Sequence, residues 1–207
     1  MNASRERYRD MRVLLIYCHP DPQSFAAAIR DTAMGVLTHA GHDVRLVDLY
    51  AIGFDPVMSR AERRAYFDRG GNDAAVRDHL DHLRWAEALL FIYPTWWYGQ
   101  PAMLKGWLDR VFVPHVAFSM PEGAGNIRPL LTNIRLVAAI STLGSPRWWW
   151  WWMGEPGRRA LLNGLAMICH PKCRRLWIAL YDMDHVGPAE RARFLAKVPR
   201  TLARLKI

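Results

Sequence analysis

Four short, nearly unbroken apolar runs punctuate the chain: Val13 to Cys18, Ala88 to Tyr93, Ile134 to Ile140 and Arg175 to Tyr181. Rich in β-branched or aromatic residues, such runs read as strands buried on both faces. Val44 to Leu49 is also strand-like but carries Arg45 and Asp48, so part of it must meet water, which predicts a sheet edge. Between the runs, Phe25, Ile29, Ala33, Val36 and Leu37 recur at helix spacing, as do Val76, Leu80 and Leu83. The clearest helix follows Gly99: Pro101 suits its first turn, and Met103, Leu104, Trp107, Leu108, Val111 and Phe112 form one face, with Lys105 and Asp109 able to pair on the other. A last helix from about Pro188 lines up Phe194, Leu195, Val198, Leu202 and Leu205, and Pro199 is expected to kink or interrupt it.

Five strands alternating with helices imply a parallel sheet, because each parallel connection must cross back over a face of the sheet. The expectation is a doubly wound α/β fold, one domain over residues 11–207 behind a tail at 1–10. A chain of 207 residues, 51% hydrophobic and without a compositional break, is long enough to bury one such core. Three connections, about 50–72, 113–133 and 141–157, exceed what the fold requires, and long ordered loops often carry function. In the first, Ser59 and Glu62 have capping-box spacing and predict a short helix ending before Gly70 and Gly71.

Composition narrows the classes. No apolar run reaches the roughly 18 residues of a membrane span, and the charged opening MNASRERYRD lacks the apolar stretch of a secretion signal, so a cytoplasmic protein with no integral membrane association is expected. The formal charge of +9 is scattered from Arg5 to Lys206 without a nucleic-acid motif, so it reads as a solvated basic surface. Cys169, His170 and Cys173 lie close together in CHPKC but lack a fourth ligand, so no metal site and no structural disulfide are expected.

In an open parallel sheet, ligands bind beyond the carboxyl ends of the strands. Three segments fall there. CHPDPQSF follows the first strand; it has neither nucleotide-binding glycine motif, but Ser24 can cap the next helix, whose free N–H groups suit a phosphate, with His19 and Gln23 as further donors. A plain turn with two prolines and a helix cap accounts for it equally well. In YPTWWYGQPAMLKGW, Pro94 ends a strand, and adjacent Trp96 and Trp97 cannot both face one core, so at least one should line a surface or cleft suited to a flat heteroaromatic ring. In STLGSPR, Ser141, Thr142 and the peptide groups through Gly144 can meet the polar edge of that ring. A phosphate loop, an aromatic shelf and a polar strand end describe a flavin cradle better than an ATP site, since no motif supplies Mg²⁺ or phosphoryl-transfer residues.

CHPDPQSF, YPTWWYGQPAMLKGWLDRVF and STLGS, in this order, resemble the NAD(P)H:quinone oxidoreductase family of flavodoxin-like proteins over about residues 11–200. The resemblance implies a five-stranded flavodoxin-like sheet in the order 2-1-3-4-5 and a homodimer with flavin near the subunit interface. It implies His19, Ser24 and Phe25 on the phosphate side, Pro94, Thr95, Trp96, Trp97 and Tyr98 along the ring, and Ser141, Thr142, Leu143 and Gly144 at the remaining flavin loop. The family's excursion after the WLDRVF-like helix reaches the other subunit's site, which makes Phe118 in VPHVAFSMPEGAGN a candidate substrate wall. The match fails after Gly144: Trp149 and Glu155 stand where the best-known mammalian members have a tyrosine and a histidine, so a Tyr/His relay does not transfer.

The activity so implied is hydride transfer from NAD(P)H to a quinone or similar small acceptor through flavin, FMN favoured over FAD, by a ping-pong sequence. The alternative is a flavin-binding regulatory subunit of a potassium-efflux system. Backbone N–H groups around Leu143 and Gly144 are candidates to stabilise negative charge on reduced flavin. Trp148 to Trp152, five consecutive tryptophans, are too many for one buried face. A lid or acceptor-pocket wall, Trp149 foremost, is the favoured reading, with a dimer contact or membrane-interface patch competing. His115, His170 and His185 read as isolated structural or surface groups.

Overall fold

Strand β1 (Arg12–Tyr17) lies between β2 (Asp43–Asp48) and β3 (Ala88–Pro94), and β6 (Leu136–Thr142) and β7 (Arg174–Leu180) continue the sheet, giving the order β2-β1-β3-β6-β7 with every pairing parallel. The computed structural model describes residues 10–71, 73–121, 125–203 and 205. The expected tail apart from Asp10, residues 122–124 of the excursion, and Lys206 lie outside them. Each strand falls within two residues of its expected place, and β2 is an edge, as Arg45 and Asp48 require. A two-stranded antiparallel ribbon, β4 (Phe118–Ser119) with β5 (Arg128–Pro129), decorates the 113–133 connection.

Alternate side chains of the central strands go to opposite faces. Leu14, Ile16, Leu89, Phe91, Val137 and Ala139 meet α3 (Arg77–Trp85), α4 (Ala102–Val111) and α6 (Pro156–Ala166). Val13, Leu15, Leu90, Ile92, Ala138 and Ile140 meet α1 (Phe25–His39) and α7 (Pro188–Leu202). This is the doubly wound α/β arrangement, helices on both faces of a buried sheet. The short helix α2 (Arg60–Ala65) carries the expected Ser59–Glu62 capping box, and Lys105 pairs with Asp109 at 2.6 Å on the outer side of α4.

Pro199 does not interrupt α7, which runs on to Leu202. Phe194, Val198 and Leu202 are all buried in the layer shared with α1, and that burial offsets the hydrogen bond a proline cannot donate. The pentatryptophan run forms its own short helix, α5 (Arg147–Trp152), immediately before α6.

Because all five strands point the same way, Tyr17, Asp48, Pro94, Thr142 and Leu180 end at one edge of the sheet. The chain winds from β1 outward to β2 and then crosses back to β3, so the reversal of winding falls between β1 and β3, where the loops after them must part and leave a crevice.

Candidate functional site

A cleft of about 410 Å³ opens at that reversal, lined by His19, Phe25 and Ala26 from the β1–α1 side, Pro94 to Trp97 after β3, Thr142 and Gly144 after β6, and Met183 and Asp184 after β7. Its size falls in the range of small-ligand sites.

The β1–α1 wall is held by short-range bonds. Ser24 caps α1, its Oγ accepting the Ala27 N–H at 3.1 Å and sitting 3.2 Å from the Tyr17 hydroxyl. Burial raises the Tyr17 pKa, so that hydroxyl stays protonated as a partner for Ser24. Asp21 Oδ1 accepts the Gln23 N–H at 2.8 Å, and His19 Nδ1 accepts the Asp21 N–H at 3.0 Å. Nδ1 also lies 3.2 Å from Asp21 O; with Nδ1 accepting at the shorter of the two contacts, Nε2 is the nitrogen left as a donor. The first-turn N–H groups of Phe25 and Ala26 have no acceptor within the helix, so with His19 they make a donor set for an anion.

The opposite wall is a tight turn. Trp96 and Gly99 exchange N–H···O bonds at 3.2 and 3.0 Å around Trp97 (φ 49°) and Tyr98 (φ 64°), two non-glycine residues in the left-handed region. Such backbone costs on the order of 1 kcal/mol per residue and persists only when its surroundings enforce it. Enforcement comes from far along the chain. Thr95 N–H donates to Thr142 O at 2.8 Å, Trp149 Nε1 donates to the Tyr98 hydroxyl at 3.0 Å, and Gly157 N–H donates to Tyr98 O at 3.0 Å. Gln100 Nε2 returns a bond to Gly157 O at 2.7 Å. A Cβ on Gly157 would lie 2.7 Å from Tyr98 O and 2.9 Å from Gly99 Cα, so the approach of α6 to the turn needs glycine there.

The floor is polar and already partly committed. Ser141 is buried, its Oγ donating to Tyr93 O at 2.8 Å and lying 2.8 Å from Thr95 Oγ1. The Thr95 hydroxyl is therefore the donor to Ser141, and its lone pairs remain as acceptors for the cleft. Leu143 N–H is bonded to Leu180 O at 2.9 Å, so of the two amides expected to meet negative charge only that of Gly144 is uncommitted. Beside Gly144 stands the Asp184 carboxylate, whose Oδ2 would lie 2.6 Å from a Cβ at that position.

Of the residues anticipated, His19, Phe25, Pro94, Thr95, Trp96, Trp97, Thr142 and Gly144 converge on the cleft. Ser24, Tyr98, Ser141 and Leu143 stand behind that lining as supports, whereas Gln23 is exposed and its N–H donates to Asp21 Oδ1. Phe118 packs against the core of its own chain, and Trp149 buttresses Tyr98; neither lines the cleft within one chain. Ala26, Met183 and Asp184 were missed; the last two follow the carboxyl end of β7, the position that the strand-end rule marks. Glu155, standing where a histidine is expected, adopts φ 48° ahead of α6, accepts the Tyr181 hydroxyl at 2.9 Å and pairs with Arg158. Burial raises the Tyr181 pKa, which keeps its proton on that bond.

The donor set fits a mononucleotide-class cofactor: one anion position at a helix start, a flat aromatic shelf, and an acceptor and a donor for a ring edge. Fold and cleft together define a flavodoxin-like protein. The family model of that fold matches residues 11–191, and the chain belongs to this family. It is similar to an NAD(P)H oxidoreductase of Haemophilus influenzae, 30% identical over 162 residues that cover 77% of this chain and 78% of that protein. It is also similar to the human ribosyldihydronicotinamide dehydrogenase (quinone), 31% identical over 128 residues covering 53% and 54%. The structure of Smu.1420 from Streptococcus mutans superposes with a TM-score of 0.81 at 30% identity, over 94% of this chain and all of that one. The matches span about half the length of the first curated relatives.

Proposed function

We propose that this protein is a flavin-dependent oxidoreductase that transfers hydride from NAD(P)H to a quinone or similar small acceptor, as a homodimer, with FMN as the favoured flavin. What carries the reading is the convergence, at the β1/β3 reversal, of an anion-binding helix start with the Trp96–Gly99 turn. The names of the human and Haemophilus relatives support the nucleotide and the quinone. FMN is favoured over FAD because the donor set provides for one phosphate.

Bound flavin supplies the chemistry of taking hydride from a reduced nicotinamide and giving it to a second substrate. The chain positions it. His19 Nε2–H and the Phe25 and Ala26 amides would hold the phosphate, Trp96 and Trp97 would flank the ring, and Thr95 Oγ1 would accept from its edge. Gly144 N–H offers a fixed dipole to negative charge there, while the Asp184 carboxylate opposes it. Nicotinamide and acceptor then use the same open side of the cleft in turn, the first product leaving before the second substrate enters. Phe118 of the second protomer and Trp149 are the proposed walls of the acceptor pocket.

Initial rates with NADH or NADPH and a soluble quinone, in protein titrated separately with FMN and FAD, test this reading. Parallel double-reciprocal lines are expected, with tighter FMN binding. Intersecting lines with a ternary complex contradict the ping-pong order. Flavin binding without turnover points instead to the regulatory subunit of a potassium-efflux system.

A further inference from the structure

Helix α5 consists of Arg147 and five tryptophans, and only Trp150 is buried. Trp148, Trp151 and Trp152 are 67%, 80% and 67% exposed. Their spacing of three and four residues puts all three on one helix face. The face runs into the cleft mouth through continuous ring contacts: Trp152 to Trp149 at 5.1 Å, Trp149 to Trp148 at 5.6 Å, and, by way of the Trp149–Tyr98 hydrogen bond, Tyr98 to Trp97 at 6.2 Å. Trp97 itself is 94% exposed. Contiguous apolar patches of this kind are rare on surfaces that meet only water. None of Trp148, Trp151 and Trp152 lines the flavin cleft.

From this surface we infer that the protein docks reversibly on an anionic lipid bilayer through α5. Two properties select that occupant. Indole combines a large apolar ring with a polar N–H, which favours the headgroup boundary over both water and the acyl core. The rim is basic: exposed Arg147 opens α5, exposed Arg158 and Arg159 follow within α6, and the Glu155 carboxylate between the two helices is paired with Arg158 and bonded to Tyr181. The whole chain carries +9. A second copy meeting the same face by a twofold contact would bring arginine against arginine, whereas a sheet of anionic headgroups satisfies rings and charges together. Among the described residues no helix is long and apolar enough to cross a membrane, so attachment is peripheral. Docking does not depend on the proposed redox reaction. If that reaction holds, docking also brings the Trp97 mouth to the layer where apolar quinones partition.

Co-sedimentation of the full chain with vesicles of phosphatidylglycerol in phosphatidylcholine, against phosphatidylcholine alone, tests the inference without any flavin or nucleotide. The protein should bind the anionic vesicles, more weakly at high salt, and barely bind the neutral ones. The Trp148→Ser/Trp151→Ser/Trp152→Ser variant should lose on the order of tenfold in vesicle partitioning, and Arg147→Glu a few fold, with circular dichroism, sedimentation-equilibrium mass and soluble-quinone turnover unchanged. Absence of binding to anionic vesicles, or equal binding by the triple variant, overturns the inference. So does a triple variant of smaller mass than the parent, which would make α5 a contact between copies. Failure of the redox reading would appear instead as absent turnover with vesicle binding intact.

Discussion

The two walls of the cleft are built in different ways. In the β1–α1 wall the bonds join residues two, three and seven positions apart: His19 with Asp21, Ser24 with Ala27, Tyr17 with Ser24. In the Trp96–Gly99 wall they reach 46, 51 and 57 positions: Thr95 to Ser141, Tyr98 to Trp149, Gln100 to Gly157. The first wall forms wherever its own segment folds. The second stores left-handed backbone at Trp97 and Tyr98 and needs β6, α5 and α6 in place to hold it. Ligand binding and stability are therefore separable in the first wall and coupled in the second.

The largest expected effect comes from Gly157→Ala. Its Cβ meets the backbone of Tyr98 and Gly99, which cannot yield as a flexible side chain would, so stability should fall by about 2–3 kcal/mol in urea unfolding, with flavin affinity falling alongside. His19→Ala tests the separable wall. Removing a donor to an anion should weaken FMN binding by about tenfold or more, read by fluorescence titration, while unfolding shifts by no more than about 0.5 kcal/mol. Equal losses of stability in the two variants would break the comparison. Trp97→Gly should stabilise the fold by about 0.5–1 kcal/mol, because glycine relieves the φ of 49° and the ring is almost wholly exposed, yet should weaken flavin binding by a few fold. The smallest effect is expected from Asp184→Asn: loss of a carboxylate from the cleft should tighten an anionic ligand by a few fold, less so at high salt.

The same contrast explains what could be read from the chain. Strand places, the exposed edge strand and the Ser24 cap follow from patterns within a few residues, and all appear in the structure. That Trp96 and Trp97 cannot both be buried is a local statement too, and both are exposed. The support of Tyr98 by Trp149 and Gly157, the inward commitment of the Ser141 hydroxyl, the capture of Leu143 N–H by Leu180 and the placing of Asp184 beside Gly144 are contacts between segments distant in sequence, so no local pattern records them. Pro199 illustrates the same limit from the other side: a proline can end a helix, yet the packing of α7 on α1 carries the helix through it to Leu202.

The central claim is that the cleft at the β1/β3 reversal holds a flavin that cycles between two substrates. Its most direct test is anaerobic addition of NADH or NADPH to FMN-reconstituted protein, followed by menadione, with absorbance watched at about 450 nm, the visible flavin band. Bleaching by the nucleotide and rapid recovery with the quinone are the predicted result. Failure to bind flavin, or bound flavin that neither nucleotide bleaches, would contradict it.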